Sequence, residues 1–326
     1  MRYRVLGRTG LKVSELGMGG HEYRRPLPTT LGRWGEIEGE KFMQTQPQRN
    51  DVIKKAVEAG IDYFDPTHVE EARSLGLALK ELQLSDDLHI SVMSLWPFGR
   101  MVGTQRSEWR QVVIDDVEEK LEALQRCYAD IFTILTPERD YSRQRMAATI
   151  DAFAQLRKEG KVSFLGASSH KPRFLAELMR LYDCFDTVMV PYNYSEGEAE
   201  SVLFPLAKAL EVGVIAIKPF AWPYYGIPFM RFGPVEAESG PLTPAQISLR
   251  WVLRSPEVST VLAGINSQAE LEEDLAAITR EGEPNYEVLK QHLDAANHPL
   301  AKKKLENMLK DPAVDIRHFA ERALRQ

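Results

Sequence analysis

The chain has 326 residues, of which 44% are hydrophobic and 27% charged, and a formal net charge of −6. This is the make-up of a globular domain with material for a sizeable core, and the acidic balance excludes a nucleic-acid backbone as the main partner. Two cysteines, Cys127 and Cys184, are too few for a disulfide framework or a four-cysteine metal or iron–sulfur site, and buried free thiols are expected.

The first residues, Met1 to Arg4, carry no apolar signal region, and no apolar run approaches the roughly 20 residues of a membrane span. A cytoplasmic protein without membrane attachment is expected. Arg2 to Leu6 and Leu11 to Val13 flank Gly7-Arg8-Thr9-Gly10, whose glycines suit a tight hairpin turn. Eight strand candidates follow: Glu15–Gly19, Ile61–Asp65, Leu88–Met93, Ile131–Leu135, Val162–Ala167, Thr187–Val190, Val214–Ile217 and Thr260–Ala263.

Between them, apolar residues recur at three- and four-residue spacing, which predicts helices. These are Val52 to Ala59, Glu71 to Leu82, Arg110 to Cys127, Met146 to Lys158, Arg173 to Leu181, Ala199 to Leu210, Pro244 to Leu253 and Gln268 to Ala277. Thr243 is placed to cap the helix opened by Pro244, and Ser267 to cap the last one. Eight alternating strand–helix units predict a closed (β/α)8 TIM barrel over residues 1–280.

Two regions fall outside the repeat. His21 to Arg49 follows the first barrel strand, at the end of the barrel where function usually resides. Residues 281–326 have a helical pattern with a break at Asp311-Pro312, and read as an extension packed on the barrel or on a partner, including a second copy of the chain.

Several stretches, in order, resemble the aldo-keto reductase family. Tyr3 to Gly17 is similar to that family's N-terminal hairpin and first strand, and Ala59-Gly60-Ile61-Asp62-Tyr63-Phe64-Asp65 to its second. Tyr128 to Phe132, Gly166-Ala167-Ser168-Ser169-His170 and Val214 to Pro219 resemble strands four, five and seven. Thr243-Pro244-Ala245-Gln246 and Glu272-Glu273-Asp274-Leu275 resemble the last two barrel helices.

The resemblance implies reduction of carbonyl or sugar-like substrates by hydride transfer from NADP or NAD. The family's acid is a tyrosine, with a lysine, an aspartate and a histidine around it. A tyrosine near pKa 10 needs a nearby cation to work at neutral pH. Asp65 matches the aspartate, but Glu70 stands for the tyrosine, Met93 for the lysine and Leu135 for the histidine. Tyr23, on the long first loop, is the best substitute tyrosine, and Lys218 would have to supply its charge.

For the cofactor, the resemblance implies Ser168 and Ser169 at the nicotinamide, where Ser169 replaces an asparagine and Met189 a glutamine, with Ile217 against the ring. It implies Asn266 and Ser267 at the adenosine phosphate, followed by Glu270, Glu273 and Asp274. Three carboxylates there would repel a 2′-phosphate.

The polar residues expected at the mouth are His21, Asp65, His68, Ser168, Ser169, His170, Asn193 and Lys218. Trp96, Phe98, Tyr192, Trp222, Tyr224 and Tyr225 are candidate walls for a small-molecule site. Three readings stay open: an oxidoreductase with relocated groups, a non-redox lyase, isomerase or hydrolase using Asp65, His68, His170 and Lys218, and a silent binding protein. His21, His68, Glu70 and His170 lack metal-ligand spacing, so no metal is expected.

Overall fold

The computed structural model describes residues 1–19, 46–84, 87–95, 97–136, 138, 141–194, 196–220, 242–279, 282, 284–287, 289 and 306. His21, Tyr23, Trp96, Trp222, Tyr224 and Tyr225 lie outside these, as does nearly all of the 281–326 extension.

The chain opens with a hairpin, β1 (Tyr3–Val5) against β2 (Lys12–Ser14), paired antiparallel around a short 3-10 turn. Eight strands then close into a parallel barrel: β3 (Leu16–Gly19), β4 (Tyr63–Asp65), β5 (His89–Leu95), β6 (Ala129–Leu135), β7 (Val162–Ser168), β8 (Thr187–Pro191), β9 (Gly213–Ile217) and β10 (Val258–Gly264). Consecutive strands are neighbours, and β10 closes the ring between β9 and β3. This is the (β/α)8 barrel expected from the sequence.

The helices are α1 (Gln46–Glu58), α2 (Val69–Glu81), α3 (Pro97–Arg100), α4 (Trp109–Ala123), α5 (Arg143–Lys158), α6 (Pro172–Leu181), α7 (Ala199–Val202), α8 (Phe204–Ala209), α9 (Pro244–Leu253) and α10 (Gln268–Thr279). The expected helix over 199–210 is broken in two at Leu203. Pro205, in the first turn of α8, has no N–H to continue the earlier ladder. The short α3 and a 3-10 turn at Arg106–Glu108 escape a periodicity reading because neither spans more than about one turn.

Thr243 and Ser267 cap their helices as expected. Thr243 Oγ1 accepts from the Gln246 N–H at 3.3 Å while Gln246 Oε1 accepts from the Thr243 N–H at 3.1 Å, a reciprocal pairing that satisfies two end-of-helix donors. Ser267 Oγ accepts from the Glu270 N–H at 3.2 Å.

Two apolar layers hold the barrel. The larger lies between strands and helices, and a smaller one fills the interior with Tyr63, Met93, Ile131, Met189, Ile215 and Leu262, joined by Leu6 and Val13 of the hairpin region. The hairpin thus stoppers the N-terminal end, and the C-terminal end is left for chemistry.

The cysteines are free but not buried as expected: Cys127 is exposed and Cys184 half-buried, because both lie in turns after helices. No described helix is long and apolar enough to cross a membrane.

Candidate active site at the barrel mouth

All eight barrel strands run in one direction, so residues at their C-terminal ends share one mouth. Asp65 ends β4, Ser168 ends β7, Lys218 follows β9, and Asn266 comes two residues after β10.

Asp65 is 2% exposed, and its Oδ2 has no hydrogen-bond partner among the described residues. Burial pushes its pKa from 3.8 up to about 7, opposed by hydrogen bonds from Ser91 and Thr67. No positive charge from the described residues contributes to that balance. Met93 lies two residues beyond Ser91, on the same inward face of β5, and packs in the interior layer with Tyr63. A methionine offers no charge to a carboxylate, so desolvation prevails. Leu135 ends β6 and is half-buried against the same layer.

After β4 the chain turns into α2. The Glu71 carboxylate accepts from the backbone N–H groups of Thr67 and His68, both at 2.9 Å. His68 is the residue that precedes the helix, and Glu70 is half-buried in its first turn.

Loss of solvation around the His170 ring, then the charges of Lys218 and Lys171, lower its pKa from 6.5 to about 3, although the residue is exposed. Lys218 has φ of 60°, a left-handed backbone rare for a side chain with a Cβ and further disfavoured before proline. The turn is held from both sides. Asn193 Nδ2 donates to the Lys218 carbonyl at 3.1 Å, and Ser248 Oγ donates to the Pro219 carbonyl at 2.5 Å. Such strain persists only where surroundings over-determine it, commonly at functional sites.

Ser168 and Ser169 are buried at the end of β7. Ser169 donates its N–H to the Met189 carbonyl at 3.3 Å, and its Oγ accepts from the Lys171 N–H at 3.3 Å. At α10, Glu270 Oε2 accepts from the Asn266 N–H at 2.7 Å, which with the Ser267 cap closes the start of the helix. Glu273 is half-buried, and its carbonyl accepts from Gln246. Asp274 is fully buried on the face of α10 that carries Leu271 and Ala277.

Two expected wall residues have other work. Tyr192 is fully buried, donates to Glu200 at 2.6 Å and packs against Phe204 and Trp251. Phe98 belongs to the outer core. Both are packing residues, corrected from mouth walls. Among the described residues no group of three His, Cys, Asp or Glu side chains is set to hold a metal ion.

The profile of the aldo/keto reductase family matches residues 30–224, well over half of the chain. The chain belongs to the aldo/keto reductase family. Among curated proteins it is 27% identical to L-galactose dehydrogenase of Arabidopsis thaliana over 299 residues, which is 85% of this chain and 88% of that one. It is 23% identical over 214 residues to the aldo-keto reductase YhdN of Bacillus subtilis, 64% of this chain and 59% of that one. Among solved structures, the holo form of aldo-keto reductase AKR11C1 from Bacillus halodurans superposes with a TM-score of 0.64 at 22% identity, covering 90% of this chain and 95% of that one.

Members of this aldo/keto reductase family typically bind NAD(P). At the start of α10 the Asn266 N–H, at the positive end of the helix, faces the Glu270 carboxylate, with Ser267 on the next donor.

Asp65, His170 and Lys218 lie at or just after strand ends, as the sequence pattern placed them, while Ser91 and Tyr63, which share the interior with Asp65, were not among the expected site residues. The usable signal was two-residue alternation: Tyr63 and Asp65 lie on one face of β4, as Ser91 and Met93 do on β5.

Proposed function

We propose that this aldo/keto reductase barrel does not carry out tyrosine–lysine hydride transfer, and that its mouth takes a neutral carbonyl or sugar-like small molecule with Asp65 as its proton-carrying group. The observation that carries the reading is the burial of Asp65 with no cation among the described residues acting on it. In the family reaction that carboxylate holds a lysine, and the lysine makes a tyrosine acidic. Here the lysine position is Met93, the tyrosine position Glu70 and the histidine position Leu135. A carboxyl left alone in an apolar wall keeps its proton near neutral pH and becomes a hydrogen-bond donor. Similarity to L-galactose dehydrogenase supports a sugar-like ligand, and the Glu270 cap argues against NADP.

The test is quenching of intrinsic fluorescence in the purified protein, titrated with NADPH and with NADH. No saturable binding of NADPH up to millimolar concentration is expected, which is weaker than about −4 kcal/mol. Saturable micromolar binding, followed by reduction of an aldehyde or ketone, would overturn the reading.

The His170–Lys218 pair supports a second reading, a non-redox acid–base site. A neutral imidazole can take a proton from substrate carbon while the lysine's ammonium stabilises the negative charge left on substrate oxygen. Sugar-dependent proton exchange without cofactor, lost in Lys218→Met, would favour it.

A further inference from the structure

The N-terminal end of the barrel, opposite the mouth, holds a second cluster of titratable groups gathered around a histidine. His89 opens β5 and pairs in register with Tyr63 of β4. Its backbone N–H donates to the Asp62 carbonyl at 2.8 Å, and its ring Nδ1 lies 3.4 Å from Oδ1 of Asp130 on β6. The Asp130 carboxylate is itself held in place. Its Oδ2 accepts from the Ile90 N–H at 2.8 Å and its Oδ1 from the Tyr128 hydroxyl at 3.3 Å. Both side chains are shielded, with 20% of His89 and 11% of Asp130 exposed.

The hairpin meets the barrel at the same place. The Ser14 N–H donates to Asp62 Oδ1 at 2.7 Å, and the Asp62 N–H to Ser14 Oγ at 3.1 Å. The His89 ring also bonds the Lys12 backbone carbonyl on β2. One imidazole thus serves acceptors on β6 and on the hairpin. A neutral imidazole has one N–H and satisfies one of them; a protonated ring has two and satisfies both. The charged ring also lies between the carboxylates of Asp62 and Asp130, where a positive charge is favoured.

We propose that His89 is a pH-sensitive clasp between the hairpin and the base of the barrel, its charged ring tying β2 to β6 and its neutral ring releasing one of the two. The titratable and charged groups around the ring are Asp130 on β6, Tyr128 just before it, Asp62 on the approach to β4, and Lys12 on β2, whose ammonium lies over the Tyr3 ring at 5.6 Å. Lys161, ahead of β7, is paired with Glu118 and Glu159. The bond to Asp130 raises the His89 pKa above 6.5 against the opposing effect of burial, and the charges of Asp130 and Asp62 and the Lys12 bond add to the rise. A raised folded pKa gives stability that is full below 6.5 and is lost as pH climbs through the folded value. The hairpin is therefore held tighter in mildly acidic than in alkaline solution. Because β2 brings Val13 into the interior layer beside Tyr63, the clasp governs how firmly that end of the barrel is stoppered. The proposal is independent of the chemistry at the mouth.

The experiment follows the His89 ring resonance through a pH titration of the full chain, assigned by its loss in His89→Gln. Amide hydrogen exchange of the hairpin is measured alongside, corrected for the intrinsic rate, from about pH 6 to about pH 8.5. The wild-type midpoint is expected above 6.5 and is expected to fall in Asp130→Asn. Hairpin opening is expected to grow about threefold or more across that midpoint, as for loss of a hydrogen bond from a charged donor, and to be independent of pH in His89→Gln. A midpoint at or below 6.5 overturns the proposal, and so does hairpin exchange that is equal on both sides of it. Should His89→Gln not fold, the resonance is assigned by its shift in Asp130→Asn, and a wild-type exchange step away from that midpoint overturns the proposal equally.

Discussion

At the scale of single residues, Asp65 concentrates the chemistry of this molecule. Its folded pKa is raised from 3.8 to about 7, so the native state binds more protons than the unfolded chain between those values. Stability is therefore full below the unfolded pKa and falls as pH rises towards 7. Asp65→Asn removes that loss. The variant is expected to match the wild type near pH 4 and to exceed it above pH 7, by up to about 4 kcal/mol if the whole shift is expressed. Urea denaturation at a series of pH values measures this, and a wild type whose advantage grows with pH would show that a cation reaches the carboxyl after all. Glu270 is instructive in a different way. The sequence shows only an acid where a basic residue is usual; the structure gives that acid a bond to the Asn266 N–H.

At the scale of elements, Gly76 shows how packing overrides propensity. In a helix interior, Gly→Ala ordinarily gains about 1 kcal/mol. A Cβ on Gly76 in α2 would lie 2.4 Å from the backbone carbonyl oxygen of Leu124, just after α4. Backbone cannot swing aside as a side chain can, so Gly76→Ala is expected to lose about 1–3 kcal/mol, read as a lower urea midpoint. Element positions were largely legible in the chain, because short apolar runs, helical spacing and the caps at Thr243 and Ser267 are local signals. Strand ends shifted by a residue or two, as with the expected Leu88–Met93 against the observed His89–Leu95. The division of the helix over 199–210 was marked by Pro205 and could have been read there.

At the scale of the whole molecule, the hairpin ties the start of the chain to its end. Arg4 donates to Glu15 at 2.7 Å and to the carbonyls of Leu253, Ser255 and Val258 at 2.7–2.8 Å, which lie between α9 and the start of β10. Arg4→Met leaves those acceptors unpaired and the shielded Glu15 carboxylate with Arg2 alone. A loss of about 3 kcal/mol is expected, measurable by thermal unfolding; a change within ±0.5 kcal/mol would show that the stopper contributes little to the barrel.

By itself, the sequence determined the eightfold alternation, the hairpin, the family resemblance and the positions of Asp65, His170 and Lys218 along strand ends. These are properties of local pattern and of which residue follows which. Only the tertiary structure decided which of those side chains act on one another. Closure of the barrel sets Asp65 beside Ser91 and aligns Thr133, Gly166 and Thr187 from three successive strands. Proton affinity depends on distance and on exclusion of water, and both arise when the strands close into a ring.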